Sequence, residues 1–215
     1  MRSFLALAAT LSISWALHAD DGTKLLRFPT IHGDSVVFSH AGNLYSAPSS
    51  GGDARRLTSH DGYEMFPRFS PDGKWIASIA NEKGWVWDAN TYQLKHTLKT
   101  PAYGQYAGLA WHPDSRKLVA GGGKIQVWDA IEGTKRSEWD GGVSPCWSPE
   151  GIEVATGHSG RFLIVDPATG KSLRQAPERG QTTPTASAIS PDGRQLVCGR
   201  LWNAETGEWI RRDTD

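Results

Sequence analysis

A stretch of ten residues, FSPDGKWIAS at 69–78, returns three times in altered form. The echoes are WHPDSRKLVA at 111–120, WSPEGIEVAT at 147–156 and ISPDGRQLVC at 189–198. Each reads as strand, tight turn, strand. Pro71 presets φ for the first turn position, the Asp72 side chain caps the turn, and Gly73 takes the position with positive φ. Residues 74–78 then run on as a half-buried strand. A second echo follows each hairpin: Val86-Trp87-Asp88, Val127-Trp128-Asp129, Ile164-Val165-Asp166 and Leu201-Trp202-Asn203, each trailed by a polar turn. Both echoes recur every roughly 40 residues, with about four short strands per unit, which is the period of propeller blades. One such sheet cannot bury both faces alone, so the units must stack. The expected fold is therefore all-β, a β-propeller of about five four-stranded blades. They fall at about 25–58, 63–98, 105–139, 143–176 and 184–212.

The last blade is expected to be shortened. Arg200 runs straight into Leu201-Trp202, and the span from Pro191 to Trp202 is about five residues less than in the other repeats. In the first blade, Gly42-Asn43 between Val36-Val37-Phe38 and Leu44-Tyr45-Ser46 is a hairpin signal, and Tyr45 takes the place of the later tryptophans such as Trp87. No strand plainly waits to complete the final blade, so closure rests on packing between the first and fifth blades. A ring that stays open leaves two exposed edges and invites self-association.

Residues 1–19 read as a secretory signal. Arg2 gives the positive start, an apolar stretch follows, and small residues near Ala16 and Ala19 suit cleavage. The apolar run is shorter than the ~20 residues of a membrane span, and no cysteine follows it as a lipoprotein anchor. The expected location is periplasmic or secreted, with no stable membrane insertion once the signal is removed. The chain carries 23 basic and 23 acidic side chains. That balance gives no electrostatic footprint for nucleic acid or an anionic surface. The two cysteines, Cys146 and Cys198, occupy repeat positions held by mostly small residues. Packing explains them, while an oxidising compartment would also permit a bond between them.

The stretches LLRFPTIHGDSVVFSHAGNLYSAP and GGDARRLTSHDGYEMFPRFSPDGKWIA, with Lys24 before them, closely resemble the start of the propeller region of tricorn-type proteases. That resemblance covers residues 24–79. Residues 85–212 resemble degenerate WD repeats, with VWDANTYQLKHTL and VWDAIEGTKRSEW. The Gly-His pair that opens a WD repeat is absent, as is the usual turn aspartate. Of the WD bracing network there survive the strand tryptophans Trp87, Trp128 and Trp202 and the strand hydroxyls Ser78 and Thr156. The tricorn resemblance implies a propeller that gates peptide access to a serine-peptidase domain, yet no residue of a peptidase triad can be placed on this sequence.

No catalytic constellation emerges. Gly157-His158-Ser159-Gly160 lacks the final glycine of a nucleophile elbow, because Arg161 stands there, and no helix follows. The seven histidines show no pair at metal-ligand spacing. Asp72, Asp114, Glu150 and Asp192 share a repeat position that turn chemistry explains. Gly121-Gly122-Gly123 precedes a strand rather than a helix, so it offers phosphate no helix N-terminus. No cofactor, metal or catalytic residue is assigned. The functional surface is expected on the loops between blades, where propeller partners dock. These carry Tyr63 and Glu64, Tyr103 and Tyr106, Val143 and Ser144, and Arg179 in the loop 179–182. Aromatic residues and arginine are the types favoured at binding hot spots. The expected function is a non-catalytic exported module that binds a protein or peptide. The alternatives are an accessory or gating propeller of a tricorn-like peptidase system and an incomplete propeller fragment.

Overall fold

The structure is a computed structural model that describes residues 26–59, 63–100, 108–158, 161–175, 187–198 and 200–210. Five antiparallel sheets follow one another along the chain, and the described residues contain no helix. Blade one holds β1 (Arg27–His32), β2 (Ser35–His40), β3 (Asn43–Pro48) and the short β4 (Arg55–Arg56). Blade two holds β5 (Met65–Phe69), β6 (Trp75–Ala80), β7 (Lys83–Asp88) and β8 (Leu94–Lys99). Blade three holds β9 (Gly108–Trp111), β10 (Lys117–Gly121), β11 (Lys124–Asp129) and β12 (Thr134–Asp140). Blade four holds β13 (Val143–Trp147), β14 (Val154–His158), β15 (Arg161–Val165) and β16 (Ser172–Gln175). Blade five has three strands, β17 (Ser187–Ile189), β18 (Gln195–Cys198) and β19 (Arg200–Asn203). An isolated bridge between Trp202 and Trp209 stands where a fourth strand would run.

The turn chemistry is the one the repeat demands. In blade two the Ser70 hydroxyl donates to Asp72 Oδ1 at 2.7 Å, and the Trp75 amide donates back to Ser70 Oγ at 3.0 Å. Gly73 sits at φ 72°, the left-handed region that glycine enters without steric cost. Blade three builds the same turn with Ser115 at φ 59°, its Asp114 Oδ1 accepting from the Arg116 amide at 2.8 Å. At the other end of the hairpins, Asp88, Asp129, Asp166 and Asn203 each accept two backbone amides of the following turn through one side-chain oxygen. In each case that one side-chain oxygen is spent on its local turn.

Each blade presents two rows with an apolar central residue, because alternate residues of a strand point to opposite faces. A forward row faces the next blade and a rear row faces the previous one. The forward rows, read across three strands, are Thr30–Val37–Ser46, Arg68–Ala77–Val86, Ala110–Val119–Val127 and Cys146–Ala155–Ile164. The rear rows they meet are Phe69–Ile76–Trp87, Trp111–Leu118–Trp128, Trp147–Val154–Val165 and Ile189–Leu196–Trp202. The central residues of all eight rows are at most 1% exposed. Four core clusters result, one per junction. Two junctions also carry the same directional tie, as Trp111 Nε1 donates to the Arg68 carbonyl at 3.0 Å and Trp147 Nε1 to the Ala110 carbonyl at 3.2 Å. Blade packing therefore accounts for these tryptophans.

The blades pack in chain order, β1 on β5, β5 on β9, β9 on β13 and β13 on β17. Among the described residues no comparable packing joins blade five to blade one. One expectation about blade one is corrected. Pairing counted outward from the hairpin turns, His40 with Asn43 and Ala80 with Lys83, aligns Tyr45 with Trp85, and Ala47 with Trp87. Counting the repeat along the chain misplaces Tyr45 because the two units differ in length before the hairpin. Cys146 and Cys198 are free thiols in the cluster between blades four and five. Burial pushes the Cys146 thiol up to about 12, and the neighbouring Cys198 adds to the rise.

Candidate partner-binding rim

Blades one and two enclose a cavity of about 280 Å³ at one rim. It is built where β1 and β5 begin and where the β2–β3 turn meets the connection into blade two. Its lining includes Arg27, Phe28, His40, Gly42, Tyr63, Glu64 and Met65. Both inner strands bulge at this level, with register shifts between Arg27 and Thr30 and between Met65 and Arg68. A bulge re-aims the side chain it carries. Here it puts Phe28 and Phe66 each at φ 53° with ring centroids 4.1 Å apart.

The chain entering blade two is tied back onto the β2–β3 turn. The Thr58 hydroxyl accepts from the Leu44 amide at 2.9 Å and donates to Glu64 Oε2 at 3.1 Å. The Glu64 amide donates to the Gly42 carbonyl at 3.1 Å, and Arg56 donates to the Thr58 carbonyl at 2.6 Å and to Asn43 Oδ1 at 2.7 Å. Glu64 is fully buried, and its carboxylate braces the connection from inside. Tyr63, next to it, is 49% exposed and offers the aromatic surface of the rim. Its ring lies on Gly42, where an added Cβ would come within 2.8 Å of Tyr63 Cδ2, and where φ is +80°. Only glycine serves both the turn and the ring.

Of the residues expected to bind a partner, Tyr63 and Glu64 converge on this one cavity. Val143 and Ser144 lie inside β13 at its bulge rather than in a loop, with Ser144 buried at φ 48°. Tyr103, Tyr106 and Arg179 lie outside the described residues. Phe28 and His40 are not singled out from the sequence, and Gly42 is read there only as a hairpin turn, because their placement at the cavity depends on the bulge and on the turn of a neighbouring hairpin.

A second cavity, about 410 Å³, opens at the opposite rim between blades three and four, over Trp147 and Pro167. There the buried Asp129 accepts from Arg116 Nε at 3.0 Å and Arg136 Nη2 at 2.8 Å. Burial pushes the Asp129 carboxyl up. The hydrogen bonds from Arg136, the Glu132 amide and Arg116 outweigh it and hold the group at about 2. Both guanidiniums donate to this carboxylate, and Arg116 also pairs with Glu132 at 3.5 Å. No group of three or more histidine, cysteine, aspartate or glutamate side chains with metal-binding geometry occurs among the described residues.

Sheets of three or four antiparallel strands stacked in chain order, with apolar rows between them, define a WD-repeat or tricorn-type β-propeller. The chain belongs to the family of the tricorn protease N-terminal beta propeller domain, whose model matches residues 23–209. That match continues through the segment with WD-like spelling. The chain is similar to the WD repeat-containing protein 26 homolog of Arabidopsis thaliana, with 28% identity over 78% of this chain and 30% of that protein. It is also similar to Actin-interacting protein 1 of Drosophila melanogaster, with 28% identity over 69% of this chain and 27% of that protein. The chain thus spans less than a third of the length of these relatives. Among solved structures, a chain of a mitotic checkpoint complex superposes with a TM-score of 0.71 at 21% identity. The match covers 83% of this chain and 61% of that one, and it shows the fold alone.

Proposed function

We propose that this chain is a non-catalytic, exported interaction module that binds a protein or peptide segment at the rim cavity between blades one and two. The observation that carries the reading is the convergence of Tyr63, Phe28, Met65 and His40 on one concave rim site, stiffened from behind by the buried Glu64. A preformed aromatic concavity binds without the entropic cost of ordering its own side chains. The WD-repeat relatives support a protein-interaction role, and the basic start and apolar stretch of residues 1–19 support export.

The test immobilises the full chain, its Tyr63→Ala variant and a Tyr103→Ala/Tyr106→Ala variant, and compares the proteins each retains from an extract. A partner held by the parent and lost at least tenfold with Tyr63→Ala supports the rim site. Equal retention by all three chains overturns it. Processing is read separately, as the mass of the exported chain, where loss of residues 1–19 is the expected result.

A second reading is favoured by the family itself. The matching model is that of a protease's propeller domain, so the partner class to test first is a peptidase. Addition of the chain would then change the rate at which the co-purifying peptidase turns over peptides. An unchanged rate removes this reading and leaves the first intact.

A further inference from the structure

Blades one and five each keep one apolar row that no described blade covers. On blade five it is the forward row Ala188–Val197–Leu201, in register across all three strands. The central residues of the other four forward rows, Val37, Ala77, Val119 and Ala155, are all 0% exposed, whereas Val197 is 48% exposed. On blade one it is the rear row Ile31–Val36–Ala47. Its counterparts Ile76, Leu118, Val154 and Leu196 are at most 1% exposed, whereas Val36 is half-buried and Ile31 is 63% exposed. Neither free row carries a charged residue, and the rung beside Val197 is Gln195–Asn203, also uncharged. Nothing on either row repels a matching partner.

The chain therefore holds both halves of the junction it forms four times internally, one half at each end of the arc. We propose that the forward row of blade five docks on the rear row of blade one of a second copy. The occupant follows from continuity: each free row has the chemistry and the strand register of the rows that already pack against its complement. The contact is heterologous, joining different surfaces on the two copies. Two copies hold ten sheets, more than the ~4–8 blades of a closed propeller. A reciprocal two-copy ring is therefore not the expected product. Head-to-tail growth is.

The test is sedimentation velocity on the full chain over a hundredfold concentration range, with Val197→Glu, Ile31→Glu and their equimolar mixture. Both positions are exposed, so both variants are expected to melt with the parent, and Val197→Gln and Ile31→Gln repeat the test if either glutamate variant does not. The parent's mean mass is expected to rise with concentration beyond the dimer. Each variant alone should stay monomeric, its self-association weakened at least tenfold. The mixture should stop at the dimer, because one intact forward row then meets one intact rear row. A parent that stays monomeric throughout overturns the proposal and leaves the rows to a different chain. Variants that associate like the parent overturn it in favour of another surface, such as residues 1–19. A mixture that stays monomeric shows that the two rows are not partners.

Discussion

The junction between blades three and four and the junction between blades four and five use the same rows in the same register, yet they are not equally held. At both, the central pair is sealed: Val119 against Val154, and Ala155 against Leu196, all 0% exposed. The difference lies at the inner and outer strands. The inner strand of blade four contributes Trp147, which donates to the Ala110 carbonyl at 3.2 Å and meets the His112 ring edge-on at 4.6 Å. The inner strand of blade five contributes Ile189, half-buried and with no side-chain donor, although its backbone bonds to Cys146 across the junction. Blade four is finished by β16, whereas among the described residues blade five has only the Trp202–Trp209 bridge. There the edge-on pair of Phe162 and Trp202, 5.5 Å apart, supplies the aromatic contact. Apolar rows are enough to place a blade, and the tryptophan tie and the fourth strand decide how firmly it stays.

The largest effect should come from removing that tie. Trp147→Ala deletes a buried indole and is expected to cost about 3–5 kcal/mol. Ile189→Ala, at the matching position, should cost about 1 kcal/mol because the side chain is half-exposed before it is cut. Urea unfolding of the two variants against the parent measures both. Equal losses would mean that the junctions are equivalent and that the indole bond adds nothing. The same contrast should appear without any mutation. Amides of β18 and β19 are expected to exchange through partial opening, at free energies a few kcal/mol below those of β10 and β11. Uniform protection across the five sheets would make the arc one cooperative unit and break the comparison.

Much of this was legible beforehand, for a physical reason: each repeat carries its own turn chemistry. Pro71, Asp72 and Gly73 announce a hairpin whatever surrounds them, and four such hairpins at one period leave a propeller as the economical way to bury the tryptophan rows. The shortened last blade was equally readable, since Arg200 leaves no room for a longer hairpin. What escaped depends on contacts remote in sequence. Glu64 reads as a rim residue because it is charged and lies between blades. Its burial follows from Thr58 and from the Gly42 carbonyl of another hairpin. Val143 and Ser144 read as loop, but a bulge folds them into β13. The open junction between blades five and one was anticipated only as one of two outcomes, because closure rests on packing between the two terminal blades, which among the described residues is not comparable to the other junctions.

The smallest effect tests whether charge adds to the firmness of blade three. Asp129 and Asn203 occupy the same place after the strand tryptophan, and each caps its turn by accepting two backbone amides. Only Asp129 also gathers two guanidiniums, Arg116 and Arg136. Asp129→Asn makes blade three resemble blade five while leaving the turn an acceptor. In the folded chain the Asp129 carboxyl is held at about 2, below its ordinary 3.8. Its contribution is therefore fully present above pH 3.8 and is lost as the pH falls toward 2. The guanidiniums are half-exposed, so solvent screening limits the expected loss in the variant to about 1 kcal/mol at pH 7. Parent and variant stabilities should converge as the pH falls toward 2. A loss that stays constant across that range would place the role of Asp129 in the geometry of its turn, which Asn203 shares, and not in its charge.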